Sequence, residues 1–286
     1  MPIGLIIVAL VLWKIKMEWR EAEGEKFDFK GFLLYAVIFV MIMYGITILP
    51  SLTGIVLIVA GALCLPIFIR LENKVPNPIL RLNIFKGNRP FIFSNLAALI
   101  YFAATFAVTY MLSLYLQYSK GYSASDAGII MVVQSIVTIV FSPIAGRLTD
   151  KYGARIIAST GMLFSTIGIL LLAFISQGTS LEYLIITLAL LGLGAAFFNG
   201  PNQYAIMSSV DRKLLGVASG MLGTMRQIGQ VLSMAIATVI LTLIVGNTQI
   251  TPSQYPLFLA SAQLLFGVFV VLCFLALLAS LVRGKI

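Results

Sequence analysis

No histidine occurs in the chain, and its two cysteines, Cys64 and Cys273, both lie inside apolar runs. A disulfide framework or a His/Cys metal cluster therefore lacks the residues it needs, and no metal or cofactor is expected. Charge is scarce as well: Asp, Glu, Lys and Arg make up 10% of the 286 residues against 60% for apolar side chains, and mean hydropathy is +1.05. A soluble domain carries about a quarter charged residues, so that class is excluded. An enzyme working at membrane depth needs a nucleophile, base or metal there. All ten Asp and Glu residues fall in loops or at the ends of apolar runs, so catalysis is excluded too.

What the chain has in abundance is uninterrupted apolar sequence. Nine runs stand out: Pro2 to Trp13, Gly31 to Leu49, Leu52 to Ile69, Phe91 to Leu116, Ala127 to Ala145, Ile156 to Ile175, Tyr183 to Met207, Leu215 to Val245 and Pro256 to Val282. None alternates as a strand does, and backbone polar groups in lipid must be bonded internally, so these runs predict an all-α polytopic membrane bundle. Crossing a hydrocarbon core takes about 20 helical residues. Eight runs are long enough. The first reads as the remainder of a severed span, not a signal peptide, because its cations follow the apolar run. The sequence thus divides into a truncated span (1–13), a loop (14–30), two spans (31–69), a proline-bearing linker (70–90) and a six-span domain (91–286).

Of the 19 Lys and Arg residues, 17 fall in alternate loops, the opposite loops hold only Lys120, and Arg226 lies within a span. Cytoplasmic loops collect cations, so the expected protein is multi-pass in the plasma membrane with its carboxyl terminus in the cytoplasm. The net charge of +9 then reflects insertion and contact with anionic lipid. Nucleic acid is excluded as a partner, because the cations form no single soluble face. On the outer side, Ser123 with Asp126 and Thr179 with Glu182 have capping-box spacing at the starts of the fifth and seventh spans.

Polar side chains within the spans are the candidates for a binding cavity. Arg226 lies eleven residues into the eighth span, about 17 Å along the helix and so near the midplane. A charge at that depth faces a bundle interior or a watery cavity unless it snorkels to the surface. Ser219, Gly223, Arg226, Gln230 and Ser233 share its helix face. Gly216, Gly220 and Gly223 read first as packing residues. In the seventh span Gly192, Ala196, Asn199 and Gln203 share a face, and Pro201 frees the carbonyl of Phe197. Asn199 and Asn202 beside that kink serve either the broken backbone or a substrate path. Gln134, Thr138 and Ser142 form a third face ahead of Pro143. The cavity candidates are Arg226, Gln230, Asn199, Gln203, Gln134 and Thr138. Tyr101, Phe197 and Phe198 read as packing aromatics before stacking platforms.

Between the uncharged fifth and sixth spans sits GRLTDKYGAR, Gly146 to Arg155. Asp150 falls near helix ends with Lys151 and Arg155 as possible partners, and Gly146 and Gly153 permit a tight reversal.

This motif resembles the cytoplasmic G-x-x-x-D-[RK]-x-G-[RX]-[RK] signature of the major facilitator superfamily, with Gly146, Asp150, Lys151, Gly153 and Arg155 in matching places and Ala154 as a departure. PIGL at 2–5, FDFKG at 27–31, FFNGPNQYAIMSSV at 197–210 and GVASGMLGTMRQIGQ at 216–230 resemble passages of its fourteen-span drug/proton antiporter branch. The resemblance covers essentially the whole chain and implies the carboxyl-terminal part of such a transporter: two extra spans, then a six-span domain of two inverted three-helix repeats. It implies a conformational latch at the signature, with Asp150 and Arg155 controlling access states. The implied parent exports small hydrophobic or cationic compounds by alternating access. The resemblance also places the antiporter signature and the proton-carrying carboxylates in an amino-terminal half, for which a separate reading frame is one source, and without which transport is not expected. The expected partners are therefore the lipid bilayer, such a substrate and that half. The alternative is a noncatalytic membrane subunit or a decayed transporter fragment.

Overall fold

The computed structural model describes Gly4 and residues 8–10, 13–14, 28–76, 78–246 and 251–282. Eight helices among them are long and apolar enough to cross a membrane. They are α1 (Phe29–Thr47), α2 (Leu52–Glu72), α3 (Arg89–Tyr118), α4 (Ala124–Tyr152), α5 (Ala154–Ala173), α6 (Leu181–Ser208), α7 (Leu215–Ile244) and α8 (Tyr255–Val282). The described residues hold no strand, and the chain is an all-helical bundle as the sequence predicts. The severed-span reading of Pro2 to Trp13 falls mostly outside the described residues; those given there are helical.

Side-chain caps set several helix ends. Ser51 accepts from Gly54 N at 3.1 Å to start α2, and Ser123 accepts from Asp126 N at 3.1 Å to start α4. The predicted reciprocal bond at Asp126 is made side chain to side chain, with Ser123 Oγ donating to Oδ2 at 2.7 Å. At α6 the expected Thr179 cap moves one residue: Ser180 accepts from Tyr183 N, while Thr179 accepts from Ser176 N inside the preceding turn. Asn88 caps α3 through Phe91 N at 3.0 Å and, with Pro90 in the first turn, starts the helix at Arg89. Its amide also donates to Ser209 O at 2.7 Å, pinning the start of α3 to the end of α6.

The six helices α3 to α8 pack under an interchange of halves. α3 packs on α7 and α8 as α6 packs on α4 and α5, while α5 meets α8. Exchanging the first three helices for the last three leaves these pairings unchanged, which is what two three-helix repeats require. α1 and α2 form a separate hairpin that touches the domain through α1 on α7, where Tyr35 and Thr224 hydroxyls hydrogen-bond at 2.7 Å.

Apolar burial drives helices together weakly in lipid, so contact surface and hydrogen bonds hold the bundle. One buried cluster gathers Met111, Leu112, Tyr115, Phe258, Phe266 and Phe269; the other gathers Phe91, Tyr101, Met162 and Phe198. Polar stitches run between helices: Ser233 Oγ accepts from Ala107 N at 2.9 Å, Ser159 and Ser280 hydroxyls pair at 2.7 Å, and Asn202 Nδ2 donates to Ser94 O at 3.1 Å. The close approach of α7 to α3 falls at Gly229, where a Cβ would stand 2.5 Å from Leu99 O. The expected packing glycines Gly216, Gly220 and Gly223 instead have open space at that position, because that face of α7 turns away from α3.

Candidate functional site

Arg226 sits on α7 with its guanidinium carbon 4.9 Å from the centre of the Phe102 ring on α3. Its Nε is buried and has no hydrogen-bond partner. A cation over an aromatic face gains about 0.5–2 kcal/mol. That is less than the ~2.5–3.5 kcal/mol that insertion of a charge at a helix centre costs. The arginine is therefore a net liability to the isolated chain. One turn further, Gln230 lines a groove of about 320 Å³ with Phe106, Gln227, Met234 and Thr47, the last contributed by α1.

Gln134 and Thr138, one turn apart on α4, border a second groove of about 430 Å³ with Thr109 and Ser135. Behind it, Gln134 also bounds a small void of about 20 Å³ with Tyr101, Thr105 and Ser165. That void has room for about one water among polar groups. Thr138 Oγ1 donates its single proton toward Gln134 O at 2.8 Å and Gly192 O at 3.1 Å, so it can offer a ligand an acceptor and no donor.

The two grooves flank one stripe of α3. Phe102 lies under Arg226, Phe106 lines the first groove and Thr109 the second. Spaced four and three residues apart, they share a helix face, so α7 and α4 present their polar groups on the same side of the bundle. Asn199 and Gln203 stand apart on α6 and line neither groove. Asn199 is half-buried with an unpartnered Oδ1, and Gln203 is exposed. Asn202 reaches Ser94 on α3 rather than the carbonyl freed by Pro201. The aromatics pack: Tyr101 and Phe198 are 3% and 1% exposed with centroids 3.9 Å apart, and Phe197 meets Phe164 edge-on at 5.9 Å.

The signature motif is mostly helix. α4 continues to Tyr152 and reverses at Gly153, whose φ of +86° favours glycine; Gly146 is an ordinary helical position. Asp150 and Lys151 are exposed, and Lys151 Nζ lies 5.1 Å over the Tyr152 ring. Asp150 makes no ion pair with Lys151 or Arg155 among the described residues, since Lys151 points about a quarter-turn away and Arg155 lies beyond the reversal. Arg155, half-buried, borders a groove of about 770 Å³ with Ser159, Leu277 and Leu281. Buried Thr149, not singled out by the sequence reading, fixes the helix end: its hydroxyl donates to Ala145 O at 2.7 Å and its carbonyl accepts from Gly153 N at 2.9 Å. A threonine just before the motif's acid is too common a residue to have marked it.

Residues 94–285 match the profile of the Major Facilitator Superfamily. Riboflavin transporter RibZ of Clostridioides difficile is 30% identical over 237 residues, 82% of this chain and 51% of that protein. Multidrug resistance protein Stp of Mycobacterium tuberculosis is 26% identical over 241 residues, 82% of this chain and 44% of that protein. Lincomycin resistance protein LmrB of Listeria monocytogenes is 26% identical over 243 residues, covering 83% and 51%. The crystal structure of nucleoside transporter NupG shares the fold with a TM-score of 0.51 at 20% identity, covering 86% of this chain and 64% of that one. The chain spans about half the length of the curated relatives it matches.

Proposed function

The chain belongs to the Major Facilitator Superfamily, and from that footing we propose that it works as the carboxyl-terminal portion of a secondary active transporter whose complete form exports small hydrophobic or cationic compounds by proton antiport. The observation that carries this reading is the pair of polar grooves on either side of Phe102, Phe106 and Thr109. Arg226, Gln230, Gln134 and Thr138 face outward from one side of a six-helix domain, as one wall of a central cavity must. Alternating access needs a second domain to rock against this wall. Relatives about twice as long have room for that domain, and several carry multidrug or drug-resistance names. In this reading the protein is multi-pass in the plasma membrane with the carboxyl terminus in the cytoplasm, and it works against an amino-terminal half of the transporter.

The test is substrate movement in proteoliposomes holding residues 1–286 alone or together with a complementary amino-terminal half, with and without an imposed pH gradient. Gradient-driven movement is expected only with both halves. Gradient-dependent movement by the chain alone, abolished by a protonophore, overturns the reading, as does silence of the reassembled pair.

Asp150 has no ion-pair partner among the described residues, which suits a latch whose contact lies on the opposing domain. Asp150→Asn in the assembled transporter is expected to slow turnover about tenfold, a typical coupling between states, with little change in substrate affinity. Weakened affinity at unchanged turnover places Asp150 in binding instead.

A further inference from the structure

Asp28 caps α1, its Oδ1 accepting from Gly31 N at 2.9 Å. Glu72 closes α2, beyond the apolar run that ends at Ile69 and the exposed Arg70. It is 2% exposed, and its Oε2 accepts from Leu80 N at 2.9 Å, across the linker that leads to α3. Each carboxyl thus has one oxygen satisfied by backbone. The remaining two, Asp28 Oδ2 and Glu72 Oε1, are both buried and both without a hydrogen-bond partner. They converge on one point: a Cβ built on Gly31 would collide with both. Only glycine leaves room for two carboxyl groups to meet there.

Two facing carboxylates in a water-poor site repel each other unless something positive lies between them. Among the described residues no cationic side chain supplies it: Lys30 on α1 and Arg70 and Lys74 at the end of α2 are exposed, Arg81 on the linker already has a partner, and the described charged group whose field reaches Glu72 is Asp28. A metal ion is a poor fit. Calcium and magnesium ask for six or more oxygens, and among the described residues no group of three His, Cys, Asp or Glu side chains is positioned to hold a metal. A proton asks for two oxygens, the number present.

We propose that Asp28 and Glu72 share one proton between Oδ2 and Oε1, forming a clasp that holds the α1–α2 hairpin to the linker entering α3. With the proton in place, a carboxylic acid donates to a carboxylate in a strong charge-assisted bond, and Glu72 stays buried with Oε2 on Leu80 N. When the proton leaves to solvent, two adjacent charges remain, Glu72 is driven outward, and its hold on the linker is lost. The hairpin is then left on the six-helix domain through α1 on α7, with the Tyr35–Thr224 bond. The clasp stands on geometry within this chain and does not rest on the transport reading.

The sign of its pH dependence follows from linkage. The folded pair keeps a proton that an unfolded glutamate releases near its ordinary value of about 4.3. The clasp's contribution is therefore complete below that pH and disappears as pH rises through the folded pair's own titration. Purified residues 1–286 in detergent are to be melted across a series from acidic to alkaline pH, with infrared difference spectra recorded over the same series. The wild type should lose several degrees of thermal stability as pH rises and show a carboxylic-acid C=O band that disappears in step. Glu72→Gln replaces the acid with an amide that donates permanently to Asp28, so its melting temperature should stay flat and the band should be missing. Asp28→Asn should behave alike and serves if the first variant does not fold. Retention of the wild-type pH dependence or of the titrating band in either variant overturns the clasp. So does a wild type stabilised by sodium, magnesium or calcium chloride at fixed pH when neither variant is, since that result puts a metal between the carboxylates.

Discussion

Gly229→Leu is expected to abolish the folded bundle, while Gly223→Leu, six residues earlier on the same helix, leaves this chain's melting transition in place. The two substitutions add the same side chain to α7 and differ only in what it meets. At Gly229 a Cβ would stand 2.5 Å from Leu99 O, 2.9 Å from Phe102 Cβ and 3.0 Å from Ala103 N. Two of those three atoms are backbone of α3, so no rotamer change relieves the clash and the two helices must separate. Overpacking a core costs about 1–3 kcal/mol where side chains can shift, and more where only backbone can move. Replacing a helical glycine returns roughly 0.5–1 kcal/mol through helix propensity, too little to reverse the sign. Separating α3 from α7 also breaks the bond from Ala107 N to Ser233 and shifts Phe102 from beneath Arg226. At Gly223 nothing lies within 4 Å, and the propensity gain stands alone. Thermal melts of the two purified variants in detergent decide the matter. Equal melting temperatures mean that α7 does not approach α3 at Gly229.

That contrast marks where sequence reading stops. Periodicity and hydropathy locate the helices, because a span's length and its lack of charge are properties of the run itself. Which face of a span meets which neighbour is a property of pairs of helices. Gly216, Gly220, Gly223 and Gly229 are equally small, and nothing in the sequence says that only the last faces α3. The polar stripe on α7 shows the same limit. From Ser219 to Ser233 its members recur every 3.5 residues on average, while the helix turns every 3.6, so over two heptads the stripe drifts about 40° around the axis. It begins exposed at Ser219 and ends fully buried at Ser233, where the hydroxyl serves the backbone of α3. Arg226 and Gln230 lie between these limits, both half-buried, and Gln230 lines a groove. Glu72 was unreadable for a related reason. An acid in a cation-rich loop suggests a solvated side chain, and only the return of the linker at Leu80 and the hairpin partner at Asp28 enclose it.

Arg226→Ala in the reassembled transporter is expected to reduce transport about a hundredfold while leaving expression and insertion intact. Among the described residues the guanidinium's partner is the Phe102 ring, with Nε buried and unbonded, and the stacking gain falls short of the cost of placing a charge so far from either helix end. A residue kept at a net cost to the chain's own stability must return that cost elsewhere. Its position beside Gln230, at the rim of the wall proposed to meet the second domain, puts that return in the substrate path or in a contact across the interface. A hundredfold loss corresponds to about 2.7 kcal/mol, the scale of one charge-assisted interaction made in the working state. Insertion should not suffer, because removing a charge from the middle of a span is favourable by itself. Arg226→Lys separates the two components: it keeps the charge but gives up the planar stack on Phe102 and the fork of donors. Partial recovery with Lys assigns the function to charge, while no recovery assigns it to the guanidinium's geometry. Wild-type transport by Arg226→Ala removes Arg226 from the mechanism and leaves it as a side chain that only packs against Phe102.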